Sequence, residues 1–228
     1  MKHLLTVVIA LVAGFGGAAL FSFTGLGHSQ TREYLVANPD ILPEMAEAYQ
    51  ANQSAERMAS ISGPVSTPFE GAVLGNPNGS KTLVKFTDYA CGYCRASVAD
   101  VDRLIAADPE LRVVVREWPV FQGSDVPARM ALAAAKQGKY EQFYHAMFET
   151  GQPTAENIAA AAQAAGLDME AAREFGASDE ATAELARNAG FANQLGFTGT
   201  PSWIYGDRPF EGAIGYEALA QIIEDGEG

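Results

Sequence analysis

Two cysteines separated by two residues, Cys91 and Cys94, lie in the stretch FTDYACGYCRASV of residues 86–98, where an apolar strand pattern gives way to an amphipathic helix. They are the only cysteines in 228 residues, and their placement constrains the fold more than any other feature. A helix start leaves its first N–H groups unpaired and carries partial positive charge, so a sulfur there is favoured as thiolate. Cys91 is therefore the expected nucleophile. Cys94, one helical turn on, can reach its sulfur, so the pair can cycle between dithiol and disulfide through a mixed disulfide. A structural disulfide across so short a loop would remove little chain entropy. A metal site would want four ligands, and His3, His28 and His145 are scattered with no second Cys or His pair. Neither a metal nor a cofactor is expected.

The surrounding pattern is α/β. FEGAVLG, from residue 69, and TLVKFTDY read as strands on either side of the turn-rich NPNGS. A helix follows over about 92–107, ended by DPE, and then the strand LRVVVREW. Strand, helix and strand at this spacing predict a βαβ unit with parallel strands. Residues 126–195 are Ala-rich and predict some four helices, punctuated by GQPT, GLD and GAS. In GTPSWIYGDRPFEG the strands return as a hairpin with GDRP as its turn, and a helix over 216–224 closes the chain.

Upstream, Lys2 precedes an almost uncharged apolar run over residues 4–26, long enough to cross a hydrocarbon core. It predicts export, and its length favours an uncleaved tether to the cytoplasmic membrane over a cleaved signal peptide. Two inert core cysteines do not suit such an oxidising compartment. Residues 31–60 predict helix with a break, where Asn38 can cap and either Pro39 or Pro43 can start the next segment. Ile41, Leu42, Met45 and Tyr49 form a sparse apolar stripe, which packs on the main domain or pairs with another copy. SGPVSTP supplies turn residues near 62–68. The expected organisation is a signal or anchor over 1–28, a helical extension over 29–62 and a main domain over 63–228. Fifteen Lys and Arg against 28 Asp and Glu give a net charge of −13, which excludes nucleic acid as a partner.

From about residue 69 onward the chain resembles the DsbA-like thiol oxidoreductases of the thioredoxin fold. The likeness is carried by LVKFTDYACGYC, the helical insertion, GFTGTPSW and the closing hairpin plus helix. It implies a thioredoxin fold with an inserted helical subdomain and a cis Thr200–Pro201 bond lying against the cysteine pair. It also implies that the Thr200 backbone pairs with an extended substrate segment. The implied substrates are exported proteins bearing thiols or disulfides, with a membrane redox partner. The family usually carries a buried acid six residues before the first cysteine, and this chain has Lys85 there. Glu117 on the neighbouring strand is the candidate carboxylate to pair with Lys85; alternatively Lys85 extends to the surface along its long stem. Tyr93 is a further candidate for tuning the pair, since Gly92-Tyr93 resembles the dipeptide of DsbC-like isomerases. The N-terminal extension resembles the oligomerising segment of ScsC-like proteins, which suits a homo-oligomer through residues 31–60. The expected activity is disulfide formation, with isomerisation as the other direction. A redox-silent peptide-binding module or periplasmic chaperone is the competing class. Tyr89, Trp118, Phe121 and Trp203 either rim a peptide groove or belong to the core, and His145 is expected as a packed helix-end histidine.

Overall fold

The computed structural model describes residues 26–226 continuously, and upstream of them only Thr6, Ala10, Gly14 and Phe15. The expected signal or tether over residues 4–26 thus lies almost entirely outside the described residues. Among those described, no helix is long and apolar enough to cross a membrane. The chain divides into two compact units, residues 1–52 and 53–228.

The first unit holds α1 (Leu26–Ala37), a 3-10 turn (Pro39–Ile41) and the start of α2 (Leu42–Ser66). Asn38 donates to Tyr34 O through both its backbone N–H and its side-chain amide, at 3.0 and 2.7 Å. It therefore closes α1 rather than capping the segment that follows. Leu42, Met45 and Tyr49 are all exposed.

In the second unit the remainder of α2 buries Met58, Ile61 and Val65, one face of a helix at the expected spacing. The helix continues through Gly63 and Pro64 instead of breaking there. Its last carbonyls are taken by a side chain from the sheet: the Arg116 guanidinium donates to Pro64 O at 2.8 Å, to Val65 O at 2.9 and 3.1 Å, and to Thr67 O. A helix end satisfied in this way needs no glycine turn.

The sheet has five strands in the order β1-β3-β2-β4-β5: β1 (Val73–Gly75), β2 (Lys81–Thr87), β3 (Leu111–Glu117), β4 (Ser202–Tyr205) and β5 (Arg208–Glu211). β2 and β3 are parallel, as the βαβ pattern predicts, and the other three pairings are antiparallel. The first predicted strand shrinks to β1, because Phe69 O accepts from the Ala72 N–H and the chain turns there. The hairpin turn is shorter than expected. Arg208 and Pro209 join β5, and Pro209 is tolerated because β5 is an edge strand.

Alternation across the pleat sorts the sheet into two cores. Leu83, Val113, Val115, Trp203 and Tyr205 share one face and one cluster with both cysteines. Val84, Phe86, Val114 and Ile204 pack on the other face with Met58, Ile61, Val65, Phe191 and Leu195. The helix predicted over 92–107 is interrupted at Ser97, giving α3 (Gly92–Ala96) and α4 (Val98–Ala107). At the break the Ser97 hydroxyl donates to Cys94 O at 2.8 Å. The insertion contains five helices among the described residues: α5 (Asp125–Lys136), α6 (Tyr140–Glu149), α7 (Ala155–Ala164), α8 (Met169–Gly176) and α9 (Asp179–Leu195). The side chains of Thr154, Asp168 and Ser178 accept first-turn N–H groups of α7, α8 and α9, which separates what reads in sequence as fewer, longer helices. Helix α10 (Tyr216–Asp225) ends the described fold.

Candidate active site

Strand β2 runs into the cysteine pair through Asp88, whose buried carboxylate collects four donors. One oxygen takes the Ala90 N–H at 2.7 Å; the other takes the Val120 N–H at 2.7 Å, the Phe121 N–H at 3.0 Å and the Ser124 hydroxyl at 2.7 Å. Asp88 so ties the loop after β3 to the turn that presents Cys91. Sequence reasoning missed it. The signal available was an Asp two residues before a free N–H at a helix entry, the spacing of an Asx turn.

Cys91 is the N-cap of α3, with extended backbone at φ −79° and ψ 119°. The facing segment is set by Gly196, which ends α9 with φ 76°, a conformation open to glycine without strain. The Phe197 N–H returns to Ala192 O at 2.9 Å and turns the chain toward Thr200. Glu211 on β5 braces this segment by accepting from the Thr198 N–H at 2.6 Å. The Thr200–Pro201 bond is cis and Pro201 is buried. In its protonated form the Cys91 thiol donates to Thr200 O at 3.1 Å, which brings Cys91, Cys94, Thr200 and Pro201 together at one place.

Both cysteines are free. Cys91 is only 4 % exposed and Cys94 is fully buried, so the opening at the helix start is narrower than the sequence suggests. The Cys94 thiol, foremost, with the Cys94 and Tyr93 N–H groups, holds the Cys91 thiol down to about 5, against the opposing effect of burial. Burial first, then the hydrogen bond given to Cys91, drives Cys94 far above the ordinary thiol range. One sulfur is thus a thiolate at neutral pH and the other a thiol. Tyr93 contributes through its backbone; its side chain is 70 % exposed.

Lys85 does not extend to the surface, and it makes no ion pair with Glu117. It is fully buried on the cysteine-bearing face of the sheet, and its Nζ donates to Tyr144 Oη at 2.6 Å. The rings of Tyr144, Phe148 and Trp203 surround the ammonium at 5.3, 5.8 and 5.3 Å. Burial lowers Lys85 to about 8. Glu117 finds its partners elsewhere and through one oxygen: Tyr89 and Tyr140 both donate to its Oε1, at 3.0 and 2.6 Å, while the buried Oε2 has no hydrogen-bond partner among the described residues. Burial raises it to about 8, so it is largely protonated at neutral pH. The two groups avoid pairing because β3 aims Glu117 at hydroxyls from the Tyr89 turn and α6, while α6 supplies Lys85 with a different hydroxyl.

Of the four aromatic residues flagged in the sequence, Tyr89 and Trp203 are core and Phe121 is exposed. Trp118 packs edge-on against Phe86 on the opposite face of the sheet. His145 lies within α6, and its Nε2 is 3.2 Å from Asp102 on α4.

Residues 82–224 match the family described as DSBA-like thioredoxin domain, and residues 31–56 match the copper resistance protein ScsC N-terminal domain. Among solved structures, a thioredoxin-like oxidoreductase from Silicibacter pomeroyi is 41 % identical with a TM-score of 0.65, covering 68 % of this chain and 91 % of that one. The thiol-disulfide exchange protein alpha-DsbA2 from Wolbachia pipientis is 25 % identical with a TM-score of 0.69, covering 78 % and 97 %. A linker-deletion form of Proteus mirabilis ScsC, at 21 % identity, shares the fold with a TM-score of 0.73 over 88 % of this chain and 92 % of that one. The curated relatives are longer. The Na(+)/H(+) antiporter NhaA 1 of Salinispora arenicola is 25 % identical over 160 residues, and this chain spans about a quarter of it, 24 %.

Proposed function

The chain belongs to the DSBA-like thioredoxin domain family, and from that premise we propose that it is a thiol:disulfide oxidoreductase that forms disulfides in exported proteins outside the cytoplasm. The observation that carries this is the inequality within the pair: a Cys91 sulfur held down to about 5, foremost by the Cys94 thiol, beside a buried Cys94 driven far above the ordinary thiol range. In the disulfide form, a substrate thiolate attacks Cys91 and the electron pair of the broken bond leaves on Cys94. A second substrate thiol then displaces Cys91, whose low pKa makes it a good leaving group. The Thr200 backbone lies beside Cys91, where an extended substrate segment can pair with it. A redox partner in the membrane restores the disulfide, and the run over residues 4–26 tethers the protein near it.

Trapping tests the assignment. Cys94→Ser should accumulate mixed disulfides with exported proteins, and Cys91→Ser should accumulate none. Trapping through Cys94, or through neither cysteine, would overturn it.

One observation favours isomerisation as a second direction. Residues 31–56 resemble the ScsC N-terminal domain and expose Leu42 and Met45, which suits a homo-oligomer with several sites facing one substrate. Reactivation of scrambled ribonuclease, compared with oxidation of the reduced enzyme, separates the two directions.

A further inference from the structure

A buried ammonium is costly unless something answers its charge. Lys85 has no carboxylate within 4.0 Å among the described residues, and its one hydrogen bond there goes to a neutral phenol. Three aromatic faces offset only part of the cost. The acidic groups that act on Lys85 are, in order of effect, Cys94 on α3, Asp102 on α4, Glu117 on β3 and Cys91 at the start of α3; Tyr144 on α6 faces it as a hydroxyl. Asp102 lies beyond ion-pair reach of Lys85 and faces His145, whose Nε2 is 3.2 Å away. Glu117 is largely protonated at neutral pH and accepts from Tyr89 and Tyr140. That leaves the sulfurs, which share a core cluster with Tyr144, Phe148 and Trp203.

Building on the oxidoreductase function proposed above, we infer that Lys85 is the buried counter-charge of the cysteine pair, a positioning residue that favours its thiolate state and so makes the Cys91–Cys94 disulfide easier to reduce. When a substrate thiolate attacks Cys91, the electron pair leaves on Cys94 inside an apolar core. The ammonium holds that thiolate until it takes up a proton. When the second substrate thiolate completes the exchange, two electrons have passed from the substrate sulfurs to the pair. Of the two substrate protons, one ends on Cys94 and the other in solvent, while Cys91 remains a thiolate. Lys85 is an ammonium before and after. A charge that stabilises only the reduced form biases the protein toward oxidising its substrates.

The test equilibrates the full chain with reduced and oxidised glutathione and titrates the thiolate of the reduced form by ultraviolet absorbance. Lys85→Met should move the glutathione equilibrium toward the disulfide by about tenfold, the equivalent of one pH unit of thiolate stabilisation. It should also move the thiolate midpoint upward. Lys85→Arg keeps the cation and should restore both readings toward wild type, whereas a merely structural lysine would leave the midpoint unmoved in every variant. In the wild type the equilibrium should bend near pH 8, where Lys85 and Glu117 both lose their protons, and the bend should persist in Glu117→Gln. A folded Lys85→Met protein with both readings unchanged overturns the inference, as does an Arg variant that shifts as far as Met. If the Met variant does not fold, absence of the wild-type bend overturns it instead. Both readings are properties of the cysteine pair alone, so they stand even if no exported substrate is trapped.

Discussion

Ionisation of Cys91 links redox state to stability in a direction that can be measured. Its folded value of about 5 lies below the ~8.5 of a free thiol, so the folded dithiol binds fewer protons than the unfolded chain between those limits. The stabilisation is complete above about pH 8.5 and is lost as pH falls through 5. Urea midpoints of the reduced form should therefore rise relative to those of the disulfide form between pH 4.5 and 7.5. Equal pH dependence of the two forms would contradict the assignment. Cys94→Ala removes the foremost contributor and should raise the Cys91 thiolate midpoint by about 1 to 2 pH units, the worth of a ~1.5–3 kcal/mol hydrogen bond to a charged acceptor. That Cys91, Cys94 and the Thr200–Pro201 pair meet was legible in sequence, because their placement depends on local spacing and on a shared motif. The setting of Lys85 was not. The rings and hydroxyl around it come from α6 and β4, more than fifty residues away in the chain, and no local pattern announces which hydroxyl meets which charge.

At the scale of elements, the βαβ unit, the helical insertion and the closing hairpin were legible because periodicity and turn residues report them directly. The reach of α2 through Pro64 was not, since it depends on a guanidinium supplied by β3. Arg116 joins three elements: besides the α2 carbonyls it contacts Glu184 and Asn188 on α9, at 3.0 and 3.3 Å, and these three side chains are buried. Removing it leaves Glu184 buried, answered only by the exposed Arg187, and strips the α2 end of its donors. Arg116→Ala should therefore destabilise the protein by about 3–5 kcal/mol in urea unfolding. Arg116→Lys should recover little of this, because one ammonium cannot reproduce a planar fork serving several carbonyls at once. A loss below about 1 kcal/mol for the Ala variant would show that the clamp does not hold the helix.

At the scale of the whole molecule, the position of Met58 and Ile61 in the second unit changes how the proposed oligomerisation is to be tested. Deletion through residue 60 would cut into that core, so the informative boundary lies after Asn52. Light scattering should find a chain beginning at residue 31 assembled and one beginning at Gln53 monomeric. Monomers in both would count against the oligomer and leave a single-site oxidoreductase. Whether the chain assembles is not legible in sequence, because a thin apolar stripe looks the same whether its own chain or another covers it. The two tryptophans carry a last consequence. Trp203 is buried in the core that holds both sulfurs, its ring 5.3 Å from the Lys85 ammonium, while Trp118 lies across the sheet against Phe86. The molecule therefore contains its own optical gauge: reduction of the disulfide should change the emission of Trp203 and leave that of Trp118 alone, so a Trp118→Phe protein would report its redox state by fluorescence without any added dye.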